Sequence, residues 1–222
     1  MSDQQRDAVF LPSADRTMPA HRVIHAFLPQ DMVEGLIEHA RANQSRFEPT
    51  GVANGVNLVF RISSATRFLG GFRPLLGQRI LDIVPRLTAE LQMKQFAPHR
   101  IELELVAHND GAFYTRHIDT LTLQAGAGFT RALSGVYYFH RAPKAFTGGA
   151  LRLYPVSRYA VGRSADIQPE HNTLLLFPSV APHEVLPVQC PSGEFMDSRF
   201  AINCWVHTLR PHGQNGADMP TL

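Results

Sequence analysis

Apolar and polar residues follow two different periods along this chain, and the change falls near residue 100. Over residues 31–42 the run DMVEGLIEHARA places Met32, Val33, Leu36, Ile37 and Ala40 on one face at helical spacing, with Asp31 as the N-cap. A second helical run covers 73–93 through Leu75, Leu76, Ile80, Leu81, Val84 and Leu87. Pro85 within it predicts a kink or a split. Between the two, Asn54-Gly55 and the stretch up to Gly71 read as irregular loop with one short strand near 58–62. From Ile101 onward the period is two. Ile101-Glu-Leu-Glu-Leu105 alternates cleanly, and strand-like runs follow at 113–119, 133–140, 150–154, 173–177, 184–188 and 200–206, separated by turns. Short strands at this spacing predict a sandwich or barrel. The expected organisation is one α+β domain over 1–222. It has a flexible, proline-punctuated tail at 1–20, a helical support region at 21–99 and a β core at 100–210.

Composition adds mainly exclusions. A chain of 222 residues is long enough to bury a sizeable core. A net charge of +2 gives no reason to expect nucleic acid or a membrane as partner. The cations are nearly all arginines scattered along the chain, Lys94 and Lys144 being the only lysines. There is no signal-peptide pattern and no apolar run of bilayer-spanning length. Two cysteines, Cys190 and Cys204, suit free thiols in a reducing cytoplasm, with a single disulfide left open. Oligomeric state is not legible.

The candidate chemistry starts from eleven histidines. A His-x-Asp triplet on a strand points an imidazole and a carboxylate to the same face, where both reach one metal ion. With 19 acidic residues in the chain, chance alone supplies about one such triplet. Two are present, His108-Asn-Asp110 and His117-Ile-Asp119. Asn109-Asp110-Gly111 is a tight-turn signature, so Asp110 is expected to bond backbone. His117-Ile-Asp119 ends the strand-like run Phe113-Tyr-Thr-Arg and is the stronger ligand pair. Far downstream, His183 opens a strand after a proline-bounded turn, as a third ligand at a barrel mouth would. The run from Arg199 to Trp205 puts Arg199, Ala201, Asn203 and Trp205 on one face and Phe200, Ile202, Cys204 and Val206 on the other. The second face belongs against core. The first suits a ligand pocket, with a guanidinium able to hold a carboxylate bidentately.

These residues resemble, in order, the catalytic core of the prolyl 4-hydroxylase-like iron(II)/2-oxoglutarate dioxygenases. The matching motifs are Asn109-Asp-Gly-Ala-Phe-Tyr-Thr-Arg-His117-Ile-Asp119, Leu133-Ser-Gly-Val-Tyr-Tyr138-Phe, Gly148-Gly-Ala-Leu-Arg-Leu-Tyr-Pro155, Leu174-Leu-Leu-Phe-Pro-Ser leading into His183-Glu-Val-Leu-Pro-Val, and Arg199-Phe-Ala-Ile-Asn-Cys-Trp205. The resemblance covers about half the chain. It implies a double-stranded β-helix (jelly roll) core with N-terminal supporting helices. It implies Fe(II) on His117, Asp119 and His183, and 2-oxoglutarate with its distal carboxylate on Arg199 and Tyr138. It further implies O2 and a primary substrate, either a peptidyl residue such as proline or a free small molecule, with ascorbate as an auxiliary reductant. Hydroxylation of an unactivated C–H bond, with succinate and CO2 as co-products, is the expected reaction; related halogenases lack a carboxylate at the Asp119 position. His108, Leu151, Asn203 and Trp205 are pocket-lining candidates, and Gly148 and Gly149 form the turn admitting the next strand.

Two departures from the family pattern stand out. His108 occupies a place where the family often has a tyrosine, and the stretch 190–198 is longer than the matching connection of the oxygen-sensing hydroxylases. Phe195 and Met196 within that stretch either form a lid at the barrel mouth or cap the core. Two other classes compete. A cupin-type barrel using zinc or manganese without 2-oxoglutarate leaves Arg199 unexplained, and a non-catalytic binding module on the same barrel predicts a damaged triad.

Overall fold

The computed structural model describes residues 20–50, 60–120, 128–155 and 163–209. The chain opens with β1 (Arg22–His25) and α1 (Gln30–Ala42), then runs through β2 (Glu48–Pro49), β3 (Arg61–Ile62) and β4 (Ser64–Thr66) to α2 (Phe72–Glu90). The β core follows as β5 (Arg100–His108), β6 (Phe113–His117), β7 (Phe129–Phe139), β8 (Thr147–Gly148), β9 (Leu151–Leu153), β10 (Ala165–Ile167), β11 (Thr173–Pro178), β12 (His183–Val185), β13 (Val188–Gln189) and β14 (Arg199–Leu209).

Seven strands form a larger antiparallel sheet in the order β1-β11-β7-β14-β5-β4-β2, and five form a smaller one in the order β10-β9-β12-β6-β3. The two sheets and the helices make the expected jelly roll, and its layers follow from side-chain parity. On β14, Phe200, Ile202, Cys204 and Val206 share one apolar cluster with Val33, Leu36, Leu76, Ile80, Val84 and Leu87 of the two helices. Ala201, on the opposite face, clusters with Val136, Tyr138, Leu175 and Phe177 of the larger sheet and with Leu151 and Leu153 of the smaller. The helices therefore back the larger sheet, and the space between the sheets is left for the site. Each fully buried aliphatic side chain in these layers is worth about 1.5–3 kcal/mol relative to exposure.

The structure corrects several sequence-based expectations. Pro29, not Asp31, holds the N-cap of α1, and Asp31 sits in the first turn, where its charge still favours the helix dipole. Pro85 does not split α2. It lies on the exposed side, where water can serve the carbonyl that proline leaves unbonded. The strand expected at 58–62 is seen as β3 in its last two residues, 51–59 lying outside the described set, as do 1–19 of the tail. The run 184–188 is two strands rather than one, because Val188 leaves the smaller sheet to pair with Gly148. Gly148 and Gly149 form the expected turn with φ of +70° and +69°; a Cβ on Gly148 would stand 2.3 Å from the Pro187 carbonyl oxygen. Cys190 and Cys204 are buried free thiols. Among the described residues no helix is long and apolar enough to cross a membrane.

The stretch 190–198 is stapled rather than mobile in design. Ser192 donates to Asp197 (2.7 Å), Arg141 pairs with the same carboxylate, and Asn109 donates to Ser198 (2.8 Å). Phe195 packs edge-on against Phe47 and Phe200, at 4.9 and 5.2 Å between centroids, and Met196 joins the helix-side cluster. These contacts support the core-capping reading over the lid. Replacing Phe195 and Met196 together by Ser is expected to lower unfolding free energy by about 3 kcal/mol, the cost of truncating large side chains in a core. Urea denaturation measures it; an unchanged midpoint would return the pair to a surface role.

Candidate metal centre and anion pocket

The smaller sheet brings the metal ligands together. His117 ends β6, His183 opens β12, and the two are direct cross-strand partners. Nε2 of His117 lies 3.7 Å from Oδ1 of Asp119, and Nε2 of His183 lies 3.5 Å from Oδ2. Donor atoms of all three fall within 4.8 Å of one another, the one such group among the described residues. Two imidazoles and one carboxylate in this arrangement match the facial triad of non-haem iron(II) oxygenases.

Local bonds fix which nitrogen faces the centre. His117 Nδ1 bonds the Thr115 carbonyl (2.8 Å) and His183 Nδ1 bonds the Ala181 carbonyl (2.9 Å), each two residues back along its own chain. With Nδ1 donating, Nε2 keeps its lone pair for a metal. Burial, then the neighbouring His183, lowers the His117 pKa to about 4, so the ring is neutral and ready to ligate. The Tyr114 ring stacks on His117 at 3.7 Å, and Phe177 meets His183 edge-on at 4.7 Å.

Asp119 is held by other means than the triplet's spacing suggests. Strand β6 stops at His117, so period-two alternation does not extend to Asp119. Its backbone N–H instead donates to the Ser179 carbonyl at 3.0 Å. Ser134 Oγ donates to Oδ2 at 2.7 Å and is itself bonded to Ser179 Oγ at 2.8 Å. Burial alone would raise this carboxyl, but His183 and His117, with the Ser134 hydrogen bond and the nearby Trp205 indole, bring its pKa below the usual value. A carboxylate so bracketed is ionised and has one orientation.

The candidate anion-binding residues lie on the larger sheet. Arg199 opens β14 opposite His108 on β5 and is 1% exposed. Its Nη1 bonds His108 Nδ1 at 3.1 Å. Its Nε and Nη2, and the Tyr138 hydroxyl, are buried without a hydrogen-bond partner. The guanidinium carbon stands 4.8 Å from the Tyr138 ring centroid. The two groups feel each other's charge, but no well-directed bond joins them: burial pushes the Tyr138 hydroxyl up to about 12, and burial lowers the Arg199 pKa. No carboxylate among the described residues neutralises this cation. A buried charge left uncompensated is costly, and its unpaired N–H groups are of the kind that could hold an anion.

The remaining candidates separate clearly. Asp110 stays out of the metal group and accepts from the Cys190 backbone N–H at 2.8 Å, as its turn signature suggests. Leu151 is buried beside Tyr138 in the inter-sheet cluster. Asn203 is half-buried, with Glu104 and Val136 as its cross-strand neighbours. Trp205 is half-buried near Asp119, whose pKa it helps to lower, and carries Arg131 over its ring at 4.0 Å. Ser134, Ser179 and Tyr114 were missed from sequence. Ser134 was within reach, since it shares strand parity with Tyr138; nothing in the sequence singles out Ser179.

Two antiparallel sheets, a His-x-Asp…His centre and a buried arginine match the jelly-roll class of non-haem iron oxygenases. Residues 103–207 match the family model of the 2OG-Fe(II) oxygenase superfamily, and the chain belongs to that superfamily. It is 31% identical over 210 residues to an uncharacterised PKHD-type hydroxylase of a Synechocystis species, covering 91% of this chain and 66% of the relative's length. A prolyl-4-hydroxylase from Pseudomonas putida has the same fold with a TM-score of 0.61 at 24% identity, over 88% of this chain and 95% of its own. A prolyl hydroxylase from Trichoplax adhaerens, solved with a hypoxia-inducible-factor peptide, also gives 0.61, at 22% identity over 85% and 83%.

Proposed function

We propose that the protein is an iron(II)- and 2-oxoglutarate-dependent dioxygenase that hydroxylates an unactivated C–H bond. One observation carries this reading: an intact facial triad and a sealed arginine whose Nε and Nη2 have no partner border one inter-sheet cluster, Arg199 lying over Tyr138 and His183 against Phe177. A cupin-type barrel has use for the first and none for the second. Iron(II) with 2-oxoglutarate and O2 supplies the oxidation, releasing succinate and CO2. The chain's own part is to hold and orient. His117, Asp119 and His183 hold the metal, Ser134 backed by Ser179 fixes the Asp119 carboxylate, and Arg199 with Tyr138 takes the distal carboxylate. Asp119 occupies the carboxylate position and so favours hydroxylation over halogenation. Ascorbate fits as the reductant that keeps iron divalent. The primary substrate is a peptidyl residue or a free small molecule, and the peptide reading comes first because similar folds are prolyl hydroxylases.

The test is a succinate assay with Fe(II), 2-oxoglutarate and O2, run on proline-containing peptides and free amino acids side by side. Succinate formation that needs both iron and 2-oxoglutarate and rises with one substrate class is the expected result. Turnover of a substrate with zinc or manganese and no 2-oxoglutarate would overturn the reading.

A further inference from the structure

The β5–β14 ladder sets His108 and Arg199 face to face. Both side chains are sealed, and Arg199 Nη1 meets His108 Nδ1 at 3.1 Å. A guanidinium can only donate, so Nδ1 carries the lone pair and His108 is neutral with its proton on Nε2. Burial, with Arg199 and then Arg61 acting the same way, keeps His108 well below its ordinary pKa. This bond takes one terminal nitrogen of Arg199 and leaves Nε and Nη2 unpaired. Those two atoms are the side-on edge of the guanidinium, two parallel N–H donors that match a carboxylate. Gly149 closes the enclosure: a Cβ there would stand 2.6 Å from Arg199 Cδ and 3.1 Å from Nε.

We propose that His108 is a positioning residue: by engaging Nη1 it presents the Nε/Nη2 edge of Arg199 to the distal carboxylate of 2-oxoglutarate. This rests on the functional reading above. An arginine with no such partner could turn its end-on fork or a single nitrogen toward the anion, and binding would then lose what it costs to order the side chain. A neutral imidazole offers an acceptor whose own hydrogen need not rotate away from the guanidinium, as a hydroxyl's must.

The test is anaerobic calorimetry of 2-oxoglutarate binding to the Mn(II)-loaded protein. It compares wild type, His108→Asn, His108→Leu, Arg199→Ala and the His108→Leu/Arg199→Ala pair. The asparagine side chain reaches with its oxygen to where Nδ1 sits; leucine fills the space without an acceptor. His108→Leu is expected to weaken binding about tenfold or more, the scale of a lost hydrogen bond to a charged group, while His108→Asn stays within about threefold. On the Arg199→Ala background His108→Leu should have no further effect. Oxalate, which chelates the metal and lacks the distal arm, should bind all variants alike. Equal 2-oxoglutarate affinity in wild type and His108→Leu, with Arg199→Ala impaired, overturns the role of His108 and spares the functional reading. Equal losses in the Asn and Leu variants, or a loss shared by oxalate, would make His108 a packing residue and overturn the proposal. Failure of wild type to bind 2-oxoglutarate overturns the functional reading, and the proposal with it.

Discussion

Arg199→Ala is expected to weaken 2-oxoglutarate binding by about 30-fold to several-thousand-fold, with Arg199→Lys falling between it and wild type. Truncating one partner of a buried, hydrogen-bonded charge pair costs about 2–5 kcal/mol, and each 1.4 kcal/mol is about tenfold in affinity. The pocket gives reason for the full range: the cation is 1% exposed and has no carboxylate neighbour among the described residues, so an incoming anion meets a charge that water does not screen. Lysine keeps the charge but offers a point donor instead of two parallel N–H groups, and its ammonium has no planar face to lay on the Tyr138 ring. The checks are the 2-oxoglutarate dissociation constant on metal-loaded protein and its KM in turnover. Unchanged affinity in Arg199→Ala would remove the anion pocket from the site altogether.

The second large effect is on the metal. His183→Ala is expected to reduce Fe(II) affinity by more than about 100-fold, because losing even a group that merely orients a ligand costs 10–100-fold. The side chain is 4% exposed and locked through Nδ1 to the Ala181 carbonyl, and no other His, Cys, Asp or Glu among the described residues belongs to the group. Asp110→Asn serves as the contrast. Asp110 belongs to the competing His-x-Asp triplet yet bonds the Cys190 backbone, so that variant should hold iron as wild type does. Anaerobic titration of both variants with Fe(II) measures the difference. Equal affinities in His183→Ala and wild type would mean that the third ligand lies elsewhere.

Much of this was legible because period and parity are local properties. The alternation around Ile101–Leu105 and along Arg199–Trp205 fixed which residues turn to the helices and which to the site, and the same-face set of Arg199, Ala201, Asn203 and Trp205 stands as read. The helices were found to within three residues at each end, since their apolar faces repeat over several turns. Pieces of two or three residues such as β2, β8, β10 and β13 were not found, because a strand that short has no period of its own and exists through its partner. The Asp119 anchor was misread for a related reason. Its orientation comes from Ser179 and Ser134, 60 and 15 residues away in the chain, and no local spacing encodes a contact made by folding. The His108–Arg199 bond was hidden likewise: the sequence could place His108 near the pocket, but only the β5–β14 register sets it against the guanidinium.

The central position of β14 has a practical consequence. From Phe200 to His207 this strand is paired on both edges, and the side chains that would grip the co-substrate alternate with those that seal the helices onto the sheet. The pocket therefore cannot come apart while the middle of the larger sheet stays together. Any compound that binds there draws on the same cooperative unit that melts, and at a hundredfold excess over its dissociation constant it adds about 2.7 kcal/mol to the free energy of unfolding. The melting temperature of the protein thus becomes a gauge of occupancy, and a library of metals, oxo acids and amino-acid derivatives can be ranked by thermal shift before any product has been identified.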